Sequence, residues 1–455
     1  MWHRVREVPP SAGLPLRASD LLPRADRLAE TLAAQLGCVP LQIECSGTAA
    51  LLIALRTLQM RAPSRRVVVA PAYTCPLVAL AVHRLGLTLR LCDLRAGHWE
   101  LDPGRLASLC DAQTLAILPT HLAGLVAALD PVLEIARACG AFVIEDAAQA
   151  LGARDGAVSV GLRGDIGFFS LAAGKGLSIY EGGLLTARER TLRAELRAVS
   201  ARSVPRSTRR ELQRSVELLG LAMLYRPLGL GLAYGLPLRR ALRRGDAVAA
   251  AGDDFGPDLP LHRVGAWRRG VGTAAAARWP QFLAANRRRA LPRVARLRAL
   301  RGLQVFDERP GTTGSWPLLL VAMPDAHSAD AALAQLWGAG LGVSRPFAHA
   351  LPDYARYADR VPRAAMPNAR DFARRALTIS NSAWLDERGF ERICAVLETV
   401  LTRGTDRARP AAPHSTRAAA SANARADPDR PAAAHRAPPA SVCTGCDTGT
   451  STLRP

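Results

Sequence analysis

Between Ala25 and Ser170 short apolar runs alternate with helical stretches, and no other feature restricts the fold of the chain as much. Ala25 to Leu36 places Leu28, Leu32 and Leu36 at helical spacing. Leu41 to Cys45 reads as a short strand, followed through Ser46, Gly47 and Thr48 by a helix rich in Ala and Leu. Arg66 to Ala70 is the next strand, ended by Pro71-Ala72-Tyr73-Thr74-Cys75-Pro76, with a helix through Ala79 to Leu85. Thr88 to Leu91 and Leu115 to Pro119 are further strands, the second with Thr120-His121 at its end. Pro131 to Gly140 is a helix stopped by its glycine, and Ala141 to Glu145 a strand that runs into Asp146. Strands separated by helices at this spacing predict βαβ units, and so an α/β fold with a mostly parallel sheet covered on both faces.

In such sheets ligands bind beyond the carboxyl ends of the strands. Thr48, Tyr73, His121 and Asp146 each stand just past a predicted strand end. So does the segment after Gly164 to Ser170, which leads to Lys175. At Ser46-Gly47-Thr48 the helix start offers backbone N–H groups and two hydroxyls to an anion. The same residues would serve equally as an ordinary N-cap.

Lys175 is the one lysine among 60 Lys and Arg residues. Arginine cannot replace lysine where a neutral amine must attack a carbonyl, because guanidinium does not deprotonate in proteins. A lone lysine, a carboxylate at the end of an apolar strand and an anion-binding helix start together suit an aldehyde cofactor such as pyridoxal phosphate. No metal-binding cluster is expected. The net charge of +21 comes from arginine spread along the whole chain, and aromatic residues make up only 5%. With no zinc-finger spacing and no aromatic RNA-binding motif, nucleic acid is not expected as a partner beyond a nucleotide moiety. Met1 to Asp20 has no apolar secretory region and most of the nine cysteines lie in apolar runs, so a cytoplasmic protein with reduced thiols is expected.

The runs Ser46-Gly47-Thr48-Ala49-Ala50-Leu51, Pro119-Thr120-His121-Leu122-Ala123-Gly124, Glu145 through Ala153, Gly164 through Ser170, Gly174-Lys175 and Glu181-Gly182-Gly183 resemble the DegT/DnrJ/StrS sugar aminotransferases. The resemblance is close over Asp20 to Glu189 and loose over Val264 to Leu401. It implies a fold-type I, pyridoxal-phosphate-dependent transferase: a large domain with a mostly parallel, seven-stranded-type sheet and a smaller C-terminal α/β domain. It also implies a homodimer and roles by position. Lys175 would bond covalently to the cofactor and shuttle the substrate proton, and Asp146 would pair with the pyridine nitrogen. Gln149 would contact the ring's hydroxyl side, while Ser170 with Gly47 and Thr48 would hold the phosphate. Some members with His in place of this lysine are dehydratases, so Lys175 favours transamination. Where an aromatic residue usually stacks on the ring this chain has Cys75, and Tyr73 is either its substitute or a core residue. The family's Gly-Tyr-Asn segment is not recognisable near Val264 to Gly272, and Leu377 to Ser382 stands where a Leu-Pro turn is usual.

Residues 1–192 are therefore read as the cofactor-binding domain, 193–258 as an insertion, 259–402 as the remainder with the small domain, and 403–455 as a disordered tail. Within the insertion an apolar run, Leu218 to Leu238, is broken by Arg226 and Pro227 and flanked by arginines. A straight membrane span is disfavoured. A helical hairpin packed on the body or on a second subunit is one reading, and peripheral contact with anionic lipid through 218–238 the other. Val264 to Leu303 is predicted helical, Trp316 to Met323 a strand, Ala326 to Gly340 a helix, and Phe390 to Leu401 the last ordered helix. Arg345 is either an anion ligand or a surface ion pair. Cys443 and Cys446 have metal-site spacing but no second pair nearby. The expected function is transfer of an amino group from an amino acid, glutamate for example, to a keto-sugar, nucleotide-linked, for surface polysaccharide or amino-sugar synthesis. The alternatives are a sugar dehydratase or other enzyme of the same cofactor, or a catalytically idle, membrane-associated relative.

Overall fold

Val67–Pro71, Ile166–Ser170 and Gly183–Ala187 are buried at every position, so these strands show no apolar/polar alternation and belong inside a sheet covered on both faces. The computed structural model describes residues 6–256 and 258–408, and the tail beyond, with Cys443 and Cys446, lies outside the described residues. Seven strands form the large sheet: β1 (Gln42–Glu44), β2 (Val67–Pro71), β3 (Thr88–Cys92), β4 (Thr114–Ile117), β5 (Phe142–Asp146), β6 (Ile166–Ser170) and β7 (Gly183–Ala187), in the order β1-β7-β6-β5-β4-β2-β3. Strands β3, β2, β4, β5 and β6 are parallel, and β7 alone runs antiparallel to both its neighbours. The carboxyl ends of β2, β4, β5 and β6 therefore meet on one edge. A bridge between Thr120 and Asp146 extends the pairing of β4 and β5 to that edge.

A second, antiparallel sheet of four strands, β8 (Gln304–Val305), β9 (Leu318–Ala322), β10 (Val343–Ser344) and β11 (Ala376–Ser380), is ordered β8-β9-β11-β10. The long helix expected over Val264 to Leu303 is two helices, Ala266–Ala276 and Trp279–Arg298. Pro280 sits at the start of the second, where a missing N–H costs nothing; within one continuous helix it would clash with the preceding turn. The last helix begins at Glu387 and continues to Ala408, past both the expected end at Leu401 and the expected start of the tail at 403.

The apolar run of the insertion folds as a bent helix pair. Helix α1 (Gly47–Arg61) follows β1, and further on helix α2 (Thr208–Leu224) and the irregular helix α3 (Pro227–Arg243) are bent by 117° relative to one another. Pro227 forces Arg226 into extended backbone (φ −143°), which ends α2. The elbow is tight: a Cβ on Gly229 would lie 2.4 Å from the carbonyl oxygen of Leu224. One face packs on the body. The Tyr225 ring lies 5.2 Å from that of Trp384 and its hydroxyl donates to the carbonyl of Ser11, while Arg239 pairs with the buried Glu7 at 2.7 Å. The fully buried Arg268 ties the same insertion to the sheet edge. It grips Glu211 of α2 through two nitrogens and donates to the carbonyl of Glu181 at 2.7 Å.

Candidate active site

Beyond Ser170 the chain turns back on itself through Gly174 (φ +80°) and Gly176 (φ +79°), conformations that side chains resist, and Lys175 stands between them. A Cβ on Gly176 would lie 2.7 Å from the Trp279 ring. The turn is clamped from outside by the N-terminal segment: Ser11 Oγ donates to the carbonyl of Gly174 at 2.6 Å, and the Leu14 amide to that of Gly176 at 2.8 Å. Lys175 lines a cleft together with Ser11, Gln149, Tyr234, Arg345 and Thr378. Part of the lysine's surface is open to the cleft, yet its amine lies deep enough for desolvation to lower its pKa, against the pull of Cys75, Asp146 and Asp253.

Asp146 ends β5. Its backbone is held by Pro119 and His121, its Oδ1 accepts the Ala148 amide at 3.0 Å, and its side chain is buried. Burial pushes its carboxyl above the ordinary range, while the Ala148 amide and the Lys175 charge work in the opposite direction. His121 was grouped with Asp146 by the strand-end argument, but its ring turns away from the site. Its Nε2 lies 2.9 Å from Glu145 and its Nδ1 accepts the Ala127 amide, so Nε2 carries the proton and donates to the carboxylate. Burial alone would push Glu145 up; hydrogen bonds from His121, Gly164 and Gly161 outweigh it and hold the carboxyl below its usual value.

Gln149 Oε1 accepts the amide of Ala123 at 3.1 Å, which fixes its carboxamide in the cleft wall. Ala123 itself takes a left-handed φ of 60°, a strained choice for a residue with a side chain. The N-cap of α1 is Ser46, whose Oγ accepts the Ala49 amide at 3.0 Å. The capping role is thus occupied by Ser46, and Gly47 and Thr48 occupy the first helical positions. A Cβ on Gly47 would lie 3.3 Å from Cβ of Ser170, so the serine at the end of β6 adjoins the helix start. Gly47, Thr48 and Ser170 are brought together.

Tyr73 is a correction. Instead of facing the lysine it is buried between Phe347 and Phe372, edge-on to both at 5.4 and 5.3 Å, and its hydroxyl exchanges hydrogen bonds with the amide and carbonyl of Phe347. A phenol satisfied on both counts inside an aromatic cluster has nothing left for a ligand. Its neighbour Cys75 is the residue that interacts with Lys175 and Asp146, and burial pushes its thiol up to about 12, so it stays protonated.

Two further residues, Asp253 and Tyr234, were not among those singled out in the sequence. Asp253, at the end of the insertion, is buried and accepts both the Ala348 amide and the Tyr354 hydroxyl at 2.7 Å. Burial pushes its carboxyl up, partly offset by those two donors and by Lys175. Tyr234 of α3 lines the cleft. An aspartate in Gly252-Asp253-Asp254 reads as a polar turn, and only the fold brings it to the lysine. Asp253→Ala leaves two buried donors unmet and is expected to lower the unfolding free energy by about 2 kcal/mol, measured by urea denaturation. Arg345 resolves as an ion pair: Nη2 meets Asp330 at 2.7 Å and Nη1 donates to the carbonyls of Ala373 and Arg374.

A lysine between two left-handed glycines, a buried aspartate at a strand end and a helix N-terminus all lie on the carboxyl edge of this sheet, and the α/β architecture is that of fold type I. Residues 19–231 match the model of the DegT/DnrJ/EryC1/StrS aminotransferase family. GDP-perosamine synthase of Caulobacter vibrioides is 37% identical over 156 residues, which is 34% of this chain and 42% of that protein. UDP-N-acetyl-3-dehydro-alpha-D-glucosamine 3-aminotransferase of Acidithiobacillus ferrooxidans is 35% identical over 184 residues, 40% of this chain and 49% of that one. The chain thus matches less than half the length of either curated relative. The solved structure of DesI in the presence of its TDP-sugar product superposes with a TM-score of 0.66 at 20% identity, covering 89% of this chain and 95% of that one.

Proposed function

We propose that this protein is a pyridoxal-phosphate-dependent aminotransferase that moves an amino group from an amino acid, glutamate as the expected donor, to a nucleotide-linked keto-sugar. We read it as a cytoplasmic homodimer. The observation that carries the reading is Lys175, the chain's one lysine, held on a glycine turn in electrostatic contact with Asp146. The residues suit the cofactor. The amine is shifted toward its neutral form and the carboxylate is buried. Thr74 Oγ1, next to Cys75, is buried with no hydrogen-bond partner among the described residues.

When bound, pyridoxal phosphate supplies an electron sink for the carbon that loses its proton. Lys175 Nζ, neutral more readily than an exposed lysine, would take that proton and return it at the cofactor's reacting carbon. The Asp146 carboxylate would hold a proton on the ring nitrogen, and Gln149 would orient the ring from its hydroxyl side. Gly47, Thr48 and Ser170 would take the phosphate through first-turn amides and a hydroxyl. Cys75, too small to stack as an aromatic ring does, would leave one face of the bound ring without a stacking side chain. Asp253, Tyr354 and Tyr234 would close the cleft against water. Incubation with cofactor, nitrogen-labelled glutamate and a panel of nucleotide keto-sugars tests the reading. Labelled amino-sugar is the expected product, and turnover without nitrogen transfer would overturn the assignment in favour of dehydration.

A further inference from the structure

Eight of the thirteen exposed large apolar side chains among the described residues fall between Leu212 and Leu236, on the bent pair α2–α3. Leu212, Val216, Leu219 and Met223 share one face of α2 at spacings of four, three and four, and Met223 is 71% exposed. Leu228, Leu232 and Leu236 continue the stripe along α3. The opposite face is already used, with Leu218, Tyr225, Leu230 and Leu238 buried against the body. A helix apolar on both its packed and its outer side calls for a second apolar surface.

The charges around the stripe indicate what that surface is. Exposed Arg206, Arg209 and Arg210 precede or open α2, and exposed Arg240, Arg243 and Arg244 close α3, so the apolar elbow lies between two basic ends. No exposed acidic residue occurs between 196 and 245; Glu211 and Glu217 there are half-buried and paired with Arg268 and Arg214. A second copy of the chain fits poorly, because a two-fold contact sets a patch against itself and would bring the arginines together. Neither helix alone is long and apolar enough to cross a membrane, but the pair together passes that test as a bent unit. An apolar elbow that enters the acyl boundary while arginines remain at headgroup level matches an anionic bilayer.

We propose that α2–α3 docks this protein on an anionic lipid surface. Tyr234, between Leu232 and Leu236 on α3, lines the Lys175 cleft, so the element that docks also borders that cleft from its inner side. The full chain is floated with phosphatidylcholine vesicles with or without phosphatidylglycerol. Wild type is expected to partition onto the anionic vesicles only, less so as salt rises. Replacing Arg240, Arg243 and Arg244 together by Gln should lower the partition coefficient about a hundredfold, at roughly one order of magnitude per one to two arginines. The combined Leu228→Gln, Leu232→Gln and Leu236→Gln variant should lose binding while its melting temperature holds, because these side chains are exposed. Absence of wild-type binding, or full binding by either variant, overturns the proposal. If the leucine variant instead turns a dimer into a monomer, the stripe is a subunit contact and the proposal also fails. Lys175→Ala should bind vesicles as wild type does, so this result is independent of whether the cleft is catalytic.

Discussion

Lys175→Ala is expected to abolish the visible-edge absorbance that the protein acquires with pyridoxal phosphate and to lower amine transfer by at least about a thousandfold. The magnitude follows from the two tasks assigned to one nitrogen, covalent attachment of the cofactor and proton transfer. Lys175→Arg separates charge from chemistry. It preserves a cation beside Asp146 and Asp253, yet guanidinium neither attacks a carbonyl nor gives up its proton, so it should be as inactive as the alanine variant. If the arginine variant transfers nitrogen, the role given to Lys175 is wrong. The pH sign is fixed by burial. Desolvation places the lysine's folded pKa below its ordinary value of 10.5, so the folded protein releases this proton earlier than the unfolded chain does. Between the two values the unfolded chain binds more protons, and stability rises with pH through that window. Neither alanine nor guanidinium titrates in that window, so both variants abolish the contribution. A flatter melting-temperature profile on the alkaline side checks the point without any cofactor present.

The parts of the site that could be read from the sequence are those set by short-range rules. Asp146 follows an apolar strand and Lys175 is compositionally singular, and both lie on the edge where the parallel strands end. The insertion's elbow was also legible, because Arg226-Pro227 cannot continue a helix. Tyr73 shows the limit of the strand-end rule. Position past a strand end selects an edge of the sheet but not a side-chain direction, and two aromatic rings more than 270 residues away, Phe347 and Phe372, draw the phenol into the core. His121 departs for the same kind of reason, since its partner Glu145 is on the neighbouring strand. Asp253 was out of reach altogether. Its partners Ala348 and Tyr354 are 95 and 101 residues further on, and no local pattern connects them. Helix α2 was anchored by another contact of this kind, Glu211 with the buried Arg268.

Asp146→Asn is the second large effect, and it discriminates between a catalytic and a structural aspartate. Asparagine keeps the acceptor oxygen that receives the Ala148 amide, so the end of β5 should hold its shape. What disappears is the negative charge that keeps a proton on the cofactor's ring nitrogen. Loss of one such preorganised electrostatic partner typically costs about two to three orders of magnitude in turnover. In the folded protein the Asp146 carboxyl titrates above its ordinary 3.8, chiefly because it is buried. The folded state therefore binds this proton more tightly than the unfolded chain, and stability falls as pH rises from 3.8 through the folded pKa. At neutral pH the ionised aspartate is a net cost to the cofactor-free protein, and the neutral amide relieves it. Asp146→Asn should accordingly melt no lower than wild type at pH 7 while its turnover collapses. The acidic limb of the wild-type kcat/KM profile that reports ionisation of Asp146 should vanish with it. Removing Asp146 also takes away one of the charges that hold the Lys175 pKa up, so the lysine should become neutral at still lower pH. A variant with a more readily neutral lysine but far lower activity would place the lost rate on the carboxylate; a variant that loses stability in proportion to activity would instead make Asp146 a structural residue.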